Sequence, residues 1–161
     1  MRVDPFGNLD PDDLEENYEG EIQVGDQAIK CDINFESEAV EPGILQSAAE
    51  FVVGLDRLIP IAFEALSRDF DRGEESEAAR MYLEYHLEEF SDDELKEVFG
   101  TKNVSKKVFL QSINASRIGL YPQDAEAYAI VDVMLPRQYT DYLLSVTFNA
   151  KAEVMSVAME S

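Results

Sequence analysis

Between Tyr18 and Phe35 apolar and polar residues alternate, and Gly25-Asp26 interrupts the alternation. A two-residue turn at that point predicts a β-hairpin with Val24 opposite Gln27, Ile22 opposite Ile29, Gly20 opposite Cys31 and Tyr18 opposite Ile33. These pairs share one apolar face, and the same register sets Glu21 opposite Lys30 on the other, a favourable cross-strand pair. From Glu41 the period becomes helical, with Ile44, Leu45, Ala48, Phe51, Val52 and Leu55 along one stripe. A second helix is predicted from near Asp56, with Pro60 in its first turn and Ile59, Ala62, Leu66 and Phe70 on its buried side. Asp71 to Glu75 reads as a loop around Gly73, and a further helix follows from about Ser76 to Phe90. Ser91 and Glu94 then have capping-box spacing, Asp92 and Asp93 suit a helical first turn, and Gly100 supplies a stop.

After Asn114 the period returns to two, with strands near Ser116 to Tyr121, Tyr128 to Leu135, Thr140 to Phe148 and Glu153 to Met159. A meander is the simplest connection. Setting Phe148 opposite Glu153 pairs Val146 with Met155, Leu144 with Val157 and Tyr142 with Met159 on one side. The expected fold is α+β in two layers: an N-terminal β-hairpin, three to four helices and a C-terminal four-stranded antiparallel meander. No internal repeat or low-complexity linker divides the chain, so residues 1–161 read as a single domain.

Charge changes the picture of partners. Thirty-four acidic against thirteen basic residues give a formal charge of -21, which repels nucleic acid and anionic membranes. With 45% hydrophobic residues the chain still has the makings of a core. No apolar run reaches the roughly 20 residues that cross a bilayer, and Met1 to Pro5 lack a basic-then-apolar signal pattern, so a cytoplasmic location is expected. The single cysteine, Cys31, allows no internal disulfide. The acidity is uneven: thirteen acidic residues precede residue 42 with Arg2 and Lys30 as the counter-charges, whereas Thr101 to Arg117 holds Lys102, Lys106, Lys107 and Arg117 and no acid.

Each chemically suggestive residue has a structural reading beside it. His86, the sole histidine, sits in the helical series Ala79, Tyr82, Leu83, His86, Leu87, Phe90, which suits a hydrogen-bonded core histidine better than a catalytic or metal-bound one. Glu89 lies one turn away, but a His-Glu pair is not a metal site. Cys31 alternates with Ile29 and Ile33 and reads as a packed apolar side chain rather than a nucleophile. Asp69 and Asp71 are the metal candidates, yet an EF-hand beginning at Asp69 would need a ligand, a glycine and a glutamate where Gly73, Glu74 and Arg80 stand. Asp132, on a face with Tyr128, Ile130 and Met134, is the better catalytic candidate, expected to be partly buried with a raised pKa; the competing reading is an edge position or a hydrogen-bonded structural carboxylate. No phosphate-cradling loop or nucleophile elbow occurs, and no cofactor is expected.

The runs Arg117-Ile118-Gly119-Leu120-Tyr121-Pro122, Tyr128-Ala129-Ile130 with Asp132, Thr140-Asp141-Tyr142-Leu143-Leu144 and the closing Met159-Glu160-Ser161 resemble a bacterial domain family of unknown function. Phe6-Gly7 with Leu9, Tyr18 to Ile22 and Tyr82 to Leu87 extend the likeness over most of the chain. Asn149-Ala150-Lys151-Ala152 departs from the glycine-containing turn of that pattern, and Pro136 stands where a more flexible residue is expected. The resemblance implies a bacterial cytosolic protein and assigns no residue a role.

The leading functional expectation is a non-catalytic binding protein, in concrete form an immunity or inhibitor-type protein whose carboxylates cover a basic protein partner. The second is an enzyme or small-ligand binder using His86 and Asp132 in a cleft between helices and sheet. The third is a self-associating structural protein, a homodimer in which Thr101 to Arg117 docks on an acidic face of another copy. Acidity as an adaptation to salt or solubility is the alternative to all three.

Overall fold

The computed structural model describes residues 1–161. It is α+β, with five α-helices, a two-stranded ribbon and a six-stranded mixed sheet. The ribbon, Arg2–Val3 (β1) against Gly7–Asn8 (β2), buries Val3, Phe6 and Leu9. Pro5 rests on Gly20, where a Cβ would lie 2.8 Å from its Cγ, so the approach requires glycine.

Asn17–Val24 (β3) and Gln27–Asn34 (β4) form the hairpin in the expected register, from Val24 opposite Gln27 to Tyr18 opposite Ile33. Gly25 takes the left-handed conformation that the tight turn needs. Glu21 and Lys30 are opposite but form no ion pair.

The helices are Pro42–Val52 (α1), Leu55–Asp71 (α2), Ala79–Glu89 (α3), Asp92–Phe99 (α4) and Lys106–Ser112 (α5), with a 3₁₀ turn at Gly73–Glu75. Three expectations are corrected. Pro60 is in the sixth position of α2, because Leu55 and Leu58 extend the buried stripe upstream of it. Pro60 is exposed, and so is Asp56, the residue whose carbonyl it leaves without a helical partner. The helix count is five, since α5 is a seven-residue helix capped by Ser105 with Phe109 as its one buried residue, too short to show a period. The third helix starts at Ala79 because Asp69 caps it there, as described below. In α4 the Ser91–Glu94 capping box and the left-handed Gly100 are both present.

Asn114–Leu120 (β5), Ala129–Met134 (β6), Leu143–Phe148 (β7) and Val154–Glu160 (β8) follow, and the sheet order is β3-β4-β5-β6-β7-β8. All neighbours are antiparallel except β4 and β5, which run parallel and fuse hairpin and meander into one sheet. The last hairpin is shifted by two residues from the expected register: Leu144 meets Met159, Val146 meets Val157, and a bulge next to Phe148 pairs it with Val154. The cause is the turn, where Asn149 Oδ1 accepts from the Lys151 and Glu153 N–H groups and Ala152 adopts φ 60°. A shift of two keeps each side chain on its expected face.

Cys31, Ile118, Val131 and Val146 make one row across the sheet and join the helices in a core cluster of 33 residues. Lys30, Arg117, Asp132 and Ser145 make the adjacent row on the opposite, polar face. No helix is long and apolar enough to cross a membrane.

Candidate functional site

Arg117 is the hub of the polar face. Its Nε and Nη2 donate to Asp32 Oδ1 and Oδ2, both at 2.6 Å, a bidentate pair that holds the guanidinium all the more firmly protonated. Nη2 also donates to the Tyr121 hydroxyl at 3.1 Å, and Nη1 to Asp132 Oδ2 at 3.2 Å. The parallel β4–β5 register places Asp32 beside Gly119, and Arg117 reaches it by folding over that glycine. A Cβ on Gly119 would come within 2.6 Å of Nη2.

Asp132 lies in an interior strand, not at an edge, and its side chain is nine-tenths buried. Burial pushes its carboxyl above the ordinary range; the Arg117 hydrogen bond and charge oppose the rise, while Glu160 and Asp32 add to it. Arg117 is its one side-chain donor, and Oδ1 has none. Asp132 lines a hollow of about 470 Å³ together with Lys30, Arg117 and Arg137. Three cations and one carboxylate make this a basic recess in an acidic molecule. Ile130 and Met134 share the strand face of Asp132, whereas the Tyr128 ring packs on Phe51 of α1 at 4.7 Å.

His86 is elsewhere, so the pair of residues expected to share a cleft is separated: it lines a different hollow, with Tyr85, Glu89, Tyr139 and Tyr142. Its ring is buried, with Nδ1–H donating to the Tyr82 carbonyl at 2.7 Å and Nε2 accepting from the Thr140 hydroxyl at 2.8 Å. The carbonyl can only accept, which puts a proton on Nδ1, and the Thr140 hydroxyl donates to Nε2 when the ring is neutral. Burial lowers its pKa against the smaller opposing effects of Tyr82 and Glu89. Next to it, the buried Tyr82 hydroxyl donates to Tyr142 O at 2.9 Å and accepts from Leu135 N–H at 3.0 Å. His86 and Tyr82 therefore pin α3 to the β6–β7 connection.

The two metal candidates are not brought together as ligands. Asp69 is buried at the end of α2 and accepts from Ser76 Oγ and from the Glu77, Ala78 and Ala79 N–H groups, at 2.7 to 3.1 Å. Burial raises its pKa, but these donors outweigh that and the net shift is downward. Most of its acceptor capacity goes to the start of α3, and the Arg72 guanidinium lies 3.8 Å from Oδ1. Asp71 is exposed and pairs with Lys106 at 2.7 Å. Nowhere do three His, Cys, Asp or Glu side chains converge as ligands would. Cys31 is buried, and burial first, then Asp32, pushes its thiol up to about 11, which keeps it protonated at neutral pH.

The basic stretch from Thr101 to Arg117 is not one patch. Lys102 pairs with Asp92, Lys106 with Asp71, and Arg117 with Asp32 and Asp132. The acidic stretches do converge, at the end of the sheet where β4 and β5 finish. Leu14 N–H donates to Glu38 O, Phe35 N–H to Glu16 O and Val40 N–H to Pro11 O, zippering residues 11–16 to 35–40. Asp10, Asp12, Asp13, Glu15 and Glu16 thereby join Glu36, Glu38 and Glu41 on one exposed surface, and none of the eight is in an ion pair. Gln123 accepts from Glu36 N–H and donates to Ser37 Oγ, which brings Asp124 to the same rim.

No family model, curated protein or solved structure matches the chain. Sequence reasoning located Asp132 and its strand face but missed Asp32, Tyr121 and the hub role of Arg117. Asp32 and Arg117 are 85 residues apart and meet through a parallel strand pair that leaves no local signature.

Proposed function

We propose that the protein is a non-catalytic binding protein of the immunity or inhibitor type, and that its partner is a basic protein. The observation that supports this reading is the acidic pole: two segments zippered by backbone hydrogen bonds into one surface of eight exposed carboxylates with no cation among their contacts. Carboxylates serving solubility alone gain nothing from this convergence, since like charges held together repel. A field of one sign at one end of the molecule steers a basic surface toward it and accelerates encounter. Membership of the bacterial family that the motifs resemble belongs to the same proposal.

The test is co-purification of the full chain from the cells that make it, at about 0.1 M and about 1 M salt, where the screening length falls from about 10 Å to about 3 Å. A basic partner retained at low salt, released at high salt and lost from the variant Glu15→Gln, Glu16→Gln, Glu36→Gln, Glu38→Gln is the expected result. Retention by that variant, salt-insensitive binding or the absence of any partner contradicts the reading.

A further inference from the structure

The basic recess on the polar face is chemically distinct from the acidic pole and lies toward the other end of the sheet, where β4 begins and β6 ends. Lys30 and Arg137 are exposed in its wall, and neither is in an ion pair. Arg117 spends Nε and Nη2 on Asp32 and Tyr121, and of the two N–H groups on Nη1 one goes to Asp132. The other is left over. Asp132, nine-tenths buried, presents an oxygen without a donor. Asp132 Oδ1 keeps acceptor capacity beside two unpaired cations, which leaves this part of the polar face able to bind a ligand. Met134, Pro136 and Leu143 supply an apolar wall. The volume of about 470 Å³ falls in the range of small-molecule sites.

We propose that this recess binds a small organic carboxylate, its charged end held by Lys30, Arg137 and the remaining Arg117 N–H, and its hydrocarbon part on Met134, Pro136 and Leu143. Asp132 is the positioning group. Its carboxylate holds one Arg117 Nη1 N–H and faces Arg117, Asp32 and Glu160, while Lys30 and Arg137 line the same recess. A doubly charged inorganic anion would satisfy the cations but leave the apolar wall unused. A cation would meet Lys30 and Arg137 directly.

The site stands independently of the basic-partner reading, and its test uses no partner. Hexanoate is titrated into the full chain by NMR, with hexylamine and inorganic phosphate as separate probes. Hexanoate is expected to shift amides of β5, β6 and the β6–β7 connection saturably, and more tightly than either comparison probe. The Lys30→Ala, Arg137→Ala double variant, which alters exposed side chains, loses about tenfold in affinity, the scale of two charge-assisted contacts. Asp132→Asn replaces an anion by a neutral donor and gains about threefold or more. No saturable hexanoate shift, equal binding of hexylamine or phosphate, an unchanged double variant, or weaker binding by Asp132→Asn each overturns the assignment.

Discussion

Asp69 and Asp132 are both buried aspartates, 4% and 7% exposed, yet their acidities move in opposite directions. Asp69 accepts from three backbone N–H groups and a serine hydroxyl, whereas Asp132 has one guanidinium N–H at 3.2 Å. The cost of burial is offset in the first and left standing in the second. The lesson concerns availability. A fully satisfied group, like Asp69 or the doubly hydrogen-bonded His86, is committed to holding the fold, and a half-satisfied one retains chemistry for a ligand.

The largest expected effect is on the satisfied side. Asp69→Ala strands the donors that open α3 and should cost about 3 kcal/mol, from the loss of hydrogen bonds to a charged acceptor and of a helix cap. Its pKa is lower folded than unfolded, so its stabilisation is complete above about pH 4 and fades as pH falls through the folded value. Urea unfolding of the variant between pH 3 and pH 7 checks both size and direction. A cost under about 1 kcal/mol would break the contrast with Asp132.

His86→Gln comes next, at about 2 kcal/mol measured above pH 7, because the ring fills an aromatic cluster with Tyr82, Tyr85 and Phe90 at centroid distances of 4.3, 5.1 and 5.2 Å. The folded pKa of His86 is depressed, so its contribution is present above about pH 6.5 and is lost as pH falls through the folded value. The deficit of the variant therefore narrows toward pH 5. Hexanoate affinity should be unchanged, and a loss there would join the two hollows that the structure keeps apart. Smallest is Asp132→Asn, within about 1 kcal/mol of the parent at neutral pH and neutral or stabilising in sign. With a raised folded pKa, the ionised carboxylate of the parent disfavours folding at neutral pH, and stability gained by protonation grows as pH falls toward about 3.9.

The sequence reveals most where a signal is local. The hairpin of β3 and β4 is legible because alternation and Gly25-Asp26 agree on one register, and α4 because its cap and its stop lie within ten residues. Asp132 is legible as a carboxylate on a mixed strand face. What stays hidden is set by distance or by irregular turns. The β7–β8 register depends on a left-handed Ala152 and a bulge, neither of which alternation encodes. The Asp32–Arg117 pair and the zippering of residues 11–16 to 35–40 depend on tertiary contacts. Charge asymmetry is visible in the sequence, but the cations of Thr101 to Arg117 look free there and are mostly paired in the fold.

The contrast between the two aspartates is tested most directly by carboxyl-carbon NMR titration of the intact chain, following Asp69 and Asp132 in one sample. Asp69 should titrate below the ordinary value of about 3.9 and Asp132 above it. Asp132 titrating at or below that value would show its carboxylate to be as well satisfied as Asp69 and would remove the basis for a ligand beside it.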